Sequence, residues 1–183
     1  MKLLARKQDR VKGFTLLECM VAMAVLSFGI LSLVSVFTQG LKNSYQAQIQ
    51  FIAQQKARES METIFTARDT KVLTWAQIQN VSQGGVFNDG PQLLCDPGPD
   101  GLYGTADDNC GLPDTVIVGP GPDKIFGTAD DQTLPLNPWM KRTITFTKDP
   151  NIGNLNHITV TISWVYEGQS GSISVNSYIS NYS

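Results

Sequence analysis

The chain has 183 residues, and only 16% of them are charged, against about a quarter in average soluble domains. Its formal net charge is −2, but positions 1–13 hold five of the fourteen basic residues, and beyond them nine basic and fifteen acidic side chains give −6. An acidic chain is a poor partner for nucleic acid, and one histidine and three cysteines leave few groups that titrate near neutral pH. We therefore expect neither an enzyme nor a nucleic-acid-binding protein.

The first predicted element is an apolar helix. Residues 19–41 carry no formal charge, and Glu18 is the only charged residue between Phe14 and that run. At 1.5 Å per residue the run is long enough to cross a hydrocarbon core about 30 Å thick. Because the basic residues precede it, the positive-inside bias places the N-terminus in the cytoplasm and exports the rest of the chain.

A cleaved secretory signal and a plain membrane anchor are two alternative interpretations of this helix. The small-x-small pattern of a secretory cleavage site occurs at Ala22 and Ala24, inside the apolar run rather than after it. A plain anchor leaves Glu18 unexplained, because an unpaired charge within the membrane costs roughly 2.5–3.5 kcal/mol. Both alternatives account for less of the pattern than the prepilin interpretation that follows.

The sequence GFTLLE at positions 13–18 follows a short basic leader and opens the apolar run. This stretch resembles the prepilin signature of type IV pilins and pseudopilins, over roughly residues 6–66, and its continuation is most similar to PilV-like minor pilins. The resemblance implies that residues 1–13 are a leader peptide. It further implies that a prepilin peptidase cleaves between Gly13 and Phe14, and that the new amine of Phe14 is methylated.

The resemblance also implies an α+β fold, the type IV pilin fold. Residues 14–41 form the transmembrane or filament-core half of one long helix, and residues 42–66 form its amphipathic half. Apolar side chains at helical spacing support the second half, namely Leu41, Tyr45, Ile49, Ile52, Met61 and Ile64. Residues 67–183 form the exported globular head, whose antiparallel sheet packs on the helix.

The head carries several local predictions. Alternating or clustered apolar residues indicate strands over 114–119, 140–147, 158–166 and 173–179. In the second of these, Arg142 is counted with the polar residues, so the alternation slips at the start of the strand. A short helix is predicted over 74–81, and a hairpin loop over Glu167–Gly171 joins the last two strands.

Glu18 is the predicted assembly residue. Cleavage leaves an ammonium on Phe14, and this charge must be paired where apolar helices bundle away from water. The resemblance implies that Glu18 of one subunit pairs with Phe14 of a neighbour, so that a subunit docked out of register leaves both charges buried and unpaired. In the alternative interpretation, the Glu18 carboxylate reaches the lipid headgroups at the cytoplasmic end of the helix.

A segment of the head occurs twice, at 96–108 and 119–131, and we name the copies acidic loop 1 and acidic loop 2. Their carboxylates belong to Asp96, Asp100, Asp107 and Asp108 in loop 1 and to Asp123, Asp130 and Asp131 in loop 2. Closely spaced carboxylates with Pro-Gly turns suit a hard cation with oxygen ligands, so calcium is one interpretation. In the other, the aspartates are solvated turn residues that cap local backbone amides. No cofactor is required in either case.

Cys95 and Cys110 bracket acidic loop 1 with 14 residues between them. The predicted topology exports both to an oxidising compartment, where we expect them to form a disulfide. Closing a loop of this size stabilises a fold by about 3 kcal/mol.

These features together predict a minor type IV pilin of the PilV-like kind, which helps to prime and assemble the filament. Before assembly it is a single-pass inner-membrane protein with a periplasmic head, and afterwards it is part of an extracellular pilus. Its expected partners are the prepilin peptidase, the inner-membrane assembly platform and other pilins, through their N-terminal helices. Two alternatives are a minor pseudopilin of a type II secretion system, in a periplasmic pseudopilus, and a pilin-anchored adhesin or ligand-binding subunit.

Overall fold

The computed structural model describes residues 13–136, 138–166 and 168–181. Apart from Gly13, the predicted leader lies outside these residues. One helix, α1, spans Leu16–Asp69 without interruption, so it continues past its predicted end at residue 66. The chain divides into two compact units, Met1–Gln46 and Ala47–Ser183.

In the first unit, every side chain of α1 up to Gln46 is exposed. This part contains the uncharged run over residues 19–41, and α1 is long and apolar enough to cross a membrane. The hydroxyls of Ser27, Ser32 and Thr38 each donate to the carbonyl four residues earlier, at 2.8–2.9 Å. The polar groups of these side chains are thus satisfied within the helix, as an apolar environment requires.

The described part of the second unit contains eight strands. In chain order they are β1 (Gln92–Leu93), β2 (Cys95–Asp96), β3 (Asn109–Pro113), β4 (Thr115–Gly119), β5 (Gln132–Pro135), β6 (Met140–Lys148), β7 (Leu155–Tyr166) and β8 (Gln169–Ser180). An antiparallel sheet forms in the order β1-β6-β7-β8, while β2 pairs with β3 and β4 with β5 in two small sheets. The four strand predictions are therefore confirmed, with shifted ends.

The core of the second unit lies between α1 and one face of the four-stranded sheet. The buried side chains of α1 recur every three or four residues and are Ile49, Ala53, Lys56, Ala57, Ser60, Met61, Ile64 and Ala67. The apolar ones share one hydrophobic cluster with the sheet residues Ile144, Phe146, Ile158, Val160, Ile162 and Ile179. The α+β prediction is confirmed: a long N-terminal apolar helix packs on an antiparallel sheet, consistent with the type IV pilin fold.

The predicted short helix over 74–81 is wrong in detail. The structure has two separate 3₁₀ turns there, Trp75–Gln77 and Val81–Gln83. The chain folds back on itself at this point, because the amide of Phe87 donates to the carbonyl of Gln79 at 3.2 Å. That bond takes the place of a continued helical ladder.

The hairpin between β7 and β8 is tighter than predicted. Tyr166 pairs with Gln169, so residues 169–171 belong to β8 and only two residues remain in the turn. Of these, Glu167 lies outside the described residues. Gly168 has a φ of 77°, a left-handed conformation that glycine adopts readily and that type I′ hairpin turns use at this position.

Candidate assembly site

The predicted processing residues lie at the start of the first unit. Gly13 and Phe14 are not helical, and they come immediately before Thr15 and the first helical residue, Leu16. Phe14 is 84% exposed, and among the described residues no atom lies within 4 Å of the space that a Cβ on Gly13 would occupy. Cleavage between these two residues stays a prediction.

Glu18 caps the N-terminus of α1. Its Oε2 accepts the backbone amide of Thr15 at 2.9 Å and the Thr15 hydroxyl at 3.0 Å, and its own amide donates to the Thr15 hydroxyl oxygen at 3.3 Å. This reciprocal pattern is a capping box, which satisfies amides that have no partner inside the helix. The Thr-x-x-Glu spacing predicts this capping box from the sequence, but the hypothesis that Glu18 pairs with Phe14 did not take it into account.

Residues 8–34 match the family described as the prokaryotic N-terminal methylation motif. The chain carries a prepilin-type N-terminus. This supports a type IV pilin-like or pseudopilin-like protein, a class that a prepilin peptidase processes, that assembles with other pilins, and that is generally structural rather than enzymatic. The match includes Gly13, Phe14 and Glu18 and ends within the apolar part of α1. No curated protein and no solved structure shows a significant match.

In the second unit of the chain, the two acidic loops fold alike. In loop 1, Asp100 Oδ1 accepts the amide of Leu102 and Asp108 Oδ2 accepts the amide of Gly104, both at 2.8 Å. The same two bonds recur 23 residues later in loop 2, at 2.8 and 2.6 Å. A third bond joins the loop threonine hydroxyl to the penultimate aspartate at 2.7 Å in each copy. The repeat is therefore structural as well as sequential.

The aspartates of both loops act as acceptors for their own backbone and threonines. The Thr105 hydroxyl lowers the pKa of Asp107, and the Thr128 hydroxyl does the same for Asp130. Asp96 lies in β2 with an exposed side chain. Among the residues that the structure describes, no three acidic, histidine or cysteine side chains are placed to hold a metal ion. The geometry favours the amide-capping interpretation, and the calcium interpretation is left to experiment.

A calcium titration decides between the two interpretations. We expect 1 mM calcium to leave the melting temperature of the full chain in detergent unchanged, because the loop carboxylates already have partners. A site with a Kd of about 10 μM would instead add about 2.7 kcal/mol of stability at that concentration. A rise in melting temperature that magnesium does not reproduce and that Asp107→Asn abolishes would establish the calcium site.

A buried group beneath acidic loop 1 was missed by sequence reasoning. Lys56 Nζ lies 2.7 Å from Asp114 Oδ1 and 3.0 Å from Glu59 Oε2, and the Arg142 guanidinium lies 3.5 Å from Asp114 Oδ2. The Tyr103 hydroxyl donates to Glu59 Oε1 at 2.6 Å, and its ring centroid is 4.2 Å from Arg142 Cζ. These five residues, which we name the charged cluster, join α1, acidic loop 1, the residue between β3 and β4, and β6.

The environment of the charged cluster shifts several pKa values. Burial lowers the pKa of Arg142, which is 1% exposed, while the charge of Asp114 opposes the shift. Burial also raises the pKa of Tyr103, together with its hydrogen bond to Glu59. Burial acts to raise the pKa of Glu59 as well, but the hydrogen bonds from Tyr103 and Lys56 outweigh it and hold that pKa below its usual value. The charged forms of these groups thus depend on one another.

Arg142 corrects the prediction for β6. The pattern of the sequence assigns it to the polar side of the strand, with a slip at the start. In the structure Met140, Arg142, Ile144 and Phe146 are all buried in strict alternation, so the strand does not slip and Arg142 faces the core. Within the described residues, none of its guanidinium nitrogens has a hydrogen-bond partner. The buried positive charge of Arg142 is instead stabilised by the negative charge of Asp114 and by the face of the Tyr103 ring.

Cys95 and Cys110 form a disulfide, with their Cα atoms 4.7 Å apart. Cys95 is fully buried at the start of β2, and Cys110 lies in β3. The bond therefore ties together the two strands from which acidic loop 1 projects.

Replacing both bridge cysteines with serine is expected to lower the free energy of unfolding by about 3 kcal/mol, because the unfolded chain loses its cross-link. Urea unfolding of the full chain in detergent, followed by tryptophan fluorescence, measures the change. Cys19→Ser is the matched control, since Cys19 is a free, exposed cysteine of the first unit. Equal unfolding midpoints for the control and the double variant would show that the bridge contributes nothing.

Proposed function

We propose that this chain is a minor type IV pilin, similar to PilV, that takes part in priming and assembling the filament. One observation carries the proposal: a prepilin-type N-terminus leads into a single helix whose side chains are exposed and apolar at first and join the head core from Ile49 onward. A helix of this kind serves as a membrane anchor before assembly and as an apolar core element of a filament afterwards.

Each predicted partner acts on the chain at a different stage of processing and assembly. The prepilin peptidase removes residues 1–13 on the cytoplasmic face of the inner membrane, and Phe14 becomes the methylated N-terminus. The assembly platform then moves the anchored subunit from the membrane into the growing fibre. There the apolar half of α1 contacts other pilins, and Glu18 faces the new amine of a neighbouring Phe14. The head stays outside the membrane throughout.

Fractionation of the source cells tests the proposal. We expect sheared surface filaments to contain a small amount of this chain that begins at methylated Phe14 by intact mass, and deletion of its gene to reduce the number of filaments. A Gly13→Val chain is expected to keep its leader and stay in the membrane fraction. Normal filaments combined with lost protein secretion would instead favour the pseudopilin alternative. A wild-type chain that retains residues 1–13 would contradict the whole proposal.

A further inference from the structure

The two acidic loops differ sharply in burial although they fold alike. In acidic loop 1, Leu102 and Tyr103 are 3% and 7% exposed. Their counterparts in acidic loop 2, Ile125 and Phe126, are 60% and 66% exposed. Because three aspartate hydrogen bonds recur in both loops, the difference in burial comes mainly from what each loop faces. Acidic loop 2 therefore presents a pair of large apolar side chains that its twin keeps covered.

Acidic loop 1 shows what covers such a pair. Leu102 and Tyr103 pack against the head, where the Tyr103 hydroxyl donates to Glu59 of α1. Gly104 approaches β6 so closely that a Cβ would lie 2.9 Å from Ile144 Cδ1. The surface that receives loop 1 thus combines the Glu59 carboxylate of α1 and the Arg142 guanidinium with apolar side chains. By analogy within the same molecule, the exposed apolar pair of loop 2 is suited to a surface that also combines carboxylates with apolar groups.

Lys124 gives the tip of acidic loop 2 a positive charge that the tip of acidic loop 1 lacks. It stands where loop 1 has Gly101, and both residues are left-handed, with φ of 59° and 69°. A residue other than glycine in this conformation costs about 1 kcal/mol or more. Despite this strain, Lys124 places an exposed cation beside Ile125 and Phe126. We name these three residues the knob.

A groove on the same head has complementary chemistry. It lies between the end of α1 and acidic loop 1, has a volume of about 300 Å³, and includes Glu59, Glu62, Thr66, Val72, Asp100 and Leu102 in its lining. Three of these residues are carboxylic acids, and Val72 exposes most of its apolar side chain. Acidic and apolar groups thus meet in a space that accommodates a side chain or two.

We propose that the knob of one chain docks in this groove of a second copy of the chain. The Lys124 ammonium meets the carboxylates of Glu62 and Asp100, and Phe126 covers the apolar floor. Because the knob and the groove are different surfaces, the contact is heterologous and repeats from head to tail. Two side chains make a weak contact, but chains anchored in one membrane meet at high effective concentration.

This contact goes beyond the proposed function, because a filament subunit without it is still a filament subunit. It assigns the exposed apolar pair, the strained lysine and the acidic groove to a single interface. Without such a contact, the exposed apolar pair and the left-handed Lys124 destabilise the chain and nothing offsets them.

Cross-linking of full chains tests the contact directly. Two differently tagged chains, both with Cys19→Ala, are reconstituted together in liposomes; one carries Ala129→Cys beside the knob and the other Thr66→Cys in the groove. A short bismaleimide is expected to join them several-fold more efficiently than it joins Ala129→Cys with Val165→Cys, an exposed position on β7. Equal yields in the two pairs overturn the proposal, as does a chain that cross-links only to itself through Ala129→Cys.

Charge reversal adds a second, independent criterion. Lys124→Glu is expected to reduce the specific product to the control level, and Glu62→Lys in the partner chain is expected to restore it. Lys124→Gly should also reduce it while leaving the melting temperature equal or higher, because glycine relieves the left-handed strain at this position. If the cross-link between Ala129→Cys and Thr66→Cys forms equally well with Lys124→Glu and with Lys124→Gly, the knob is not what occupies the groove.

Discussion

Replacing Asp114 with alanine is expected to lower the free energy of unfolding by about 3–5 kcal/mol. Asp114 is the carboxylate that faces both buried cations, with Lys56 at 2.7 Å and Arg142 at 3.5 Å. Without it, two positive charges stay buried and only Glu59 remains in contact with one of them. Urea unfolding of the full chain in detergent measures the loss.

Asp69→Ala is the matched control for Asp114→Ala. Asp69 also forms a salt bridge with an arginine, but its side chain is mostly exposed, so its loss should cost at most about 1 kcal/mol. A triple variant, Lys56→Met with Asp114→Leu and Arg142→Met, should retain most of the stability, since apolar residues often replace a buried ion network without loss. If Asp114→Ala costs no more than Asp69→Ala, the charged cluster does not stabilise the head as argued.

Glu18→Gln is expected to reduce incorporation of the chain into filaments by at least about tenfold while α1 stays intact. Glutamine keeps the acceptor that the capping box with Thr15 requires, but it removes the negative charge. An ammonium left unpaired among apolar helices costs several kcal/mol, and about 1.4 kcal/mol already corresponds to a factor of ten. The ratio of chain in sheared filaments to chain in membranes, by quantitative immunoblot, measures the effect.

Thr15→Val separates the two roles of Glu18. It breaks the capping box and keeps the carboxylate, so it should cost the helix end about 1 kcal/mol and leave incorporation near the wild-type level. The opposite result, with Glu18→Gln assembling normally and Thr15→Val failing, would mean that Glu18 acts only as a cap and that the charge pair with Phe14 is wrong.

The sequence was sufficient wherever a pattern is sustained over many residues. The long apolar run and the later stripe from Ile49 to Ile64 predicted one helix, and its buried face follows that stripe. The alternation over 158–166 predicted β7 and its inner face. Both patterns repeat often enough for period and phase to be unambiguous. Short elements such as the turn at Trp75–Gln77 lack that repetition, and a long-range backbone contact decides them.

The charged cluster was missed because a charged residue in a sequence is normally assigned to the solvent-exposed surface. Arg142 is in phase with Met140 and Ile144, and Lys56 lies three residues after Ala53 on the buried stripe, so position alone indicated burial. The partner that makes this burial tolerable, Asp114, lies 58 residues from Lys56 along the chain. No local pattern predicts a pairing at that distance.

The different environments of the two acidic loops were beyond prediction for a related reason. Their sequences are nearly the same, and so are their internal hydrogen bonds. What distinguishes Tyr103 from Phe126 is contact with α1, a feature of the assembled head rather than of the loop.

The order of elements along the chain also affects how the head is made. Synthesis begins at the N-terminus, so the stripe of α1 is made before β6, β7 and β8 exist to cover it. Those strands pair with their neighbours in sequence and form readily, whereas docking them on α1 closes a long loop and is slower. Until then an apolar helix face is exposed to aggregation and proteolysis. In the proposed role as a membrane-anchored subunit, the first half of α1 would hold the uncovered stripe near the strands that follow it, and this would shorten the vulnerable interval.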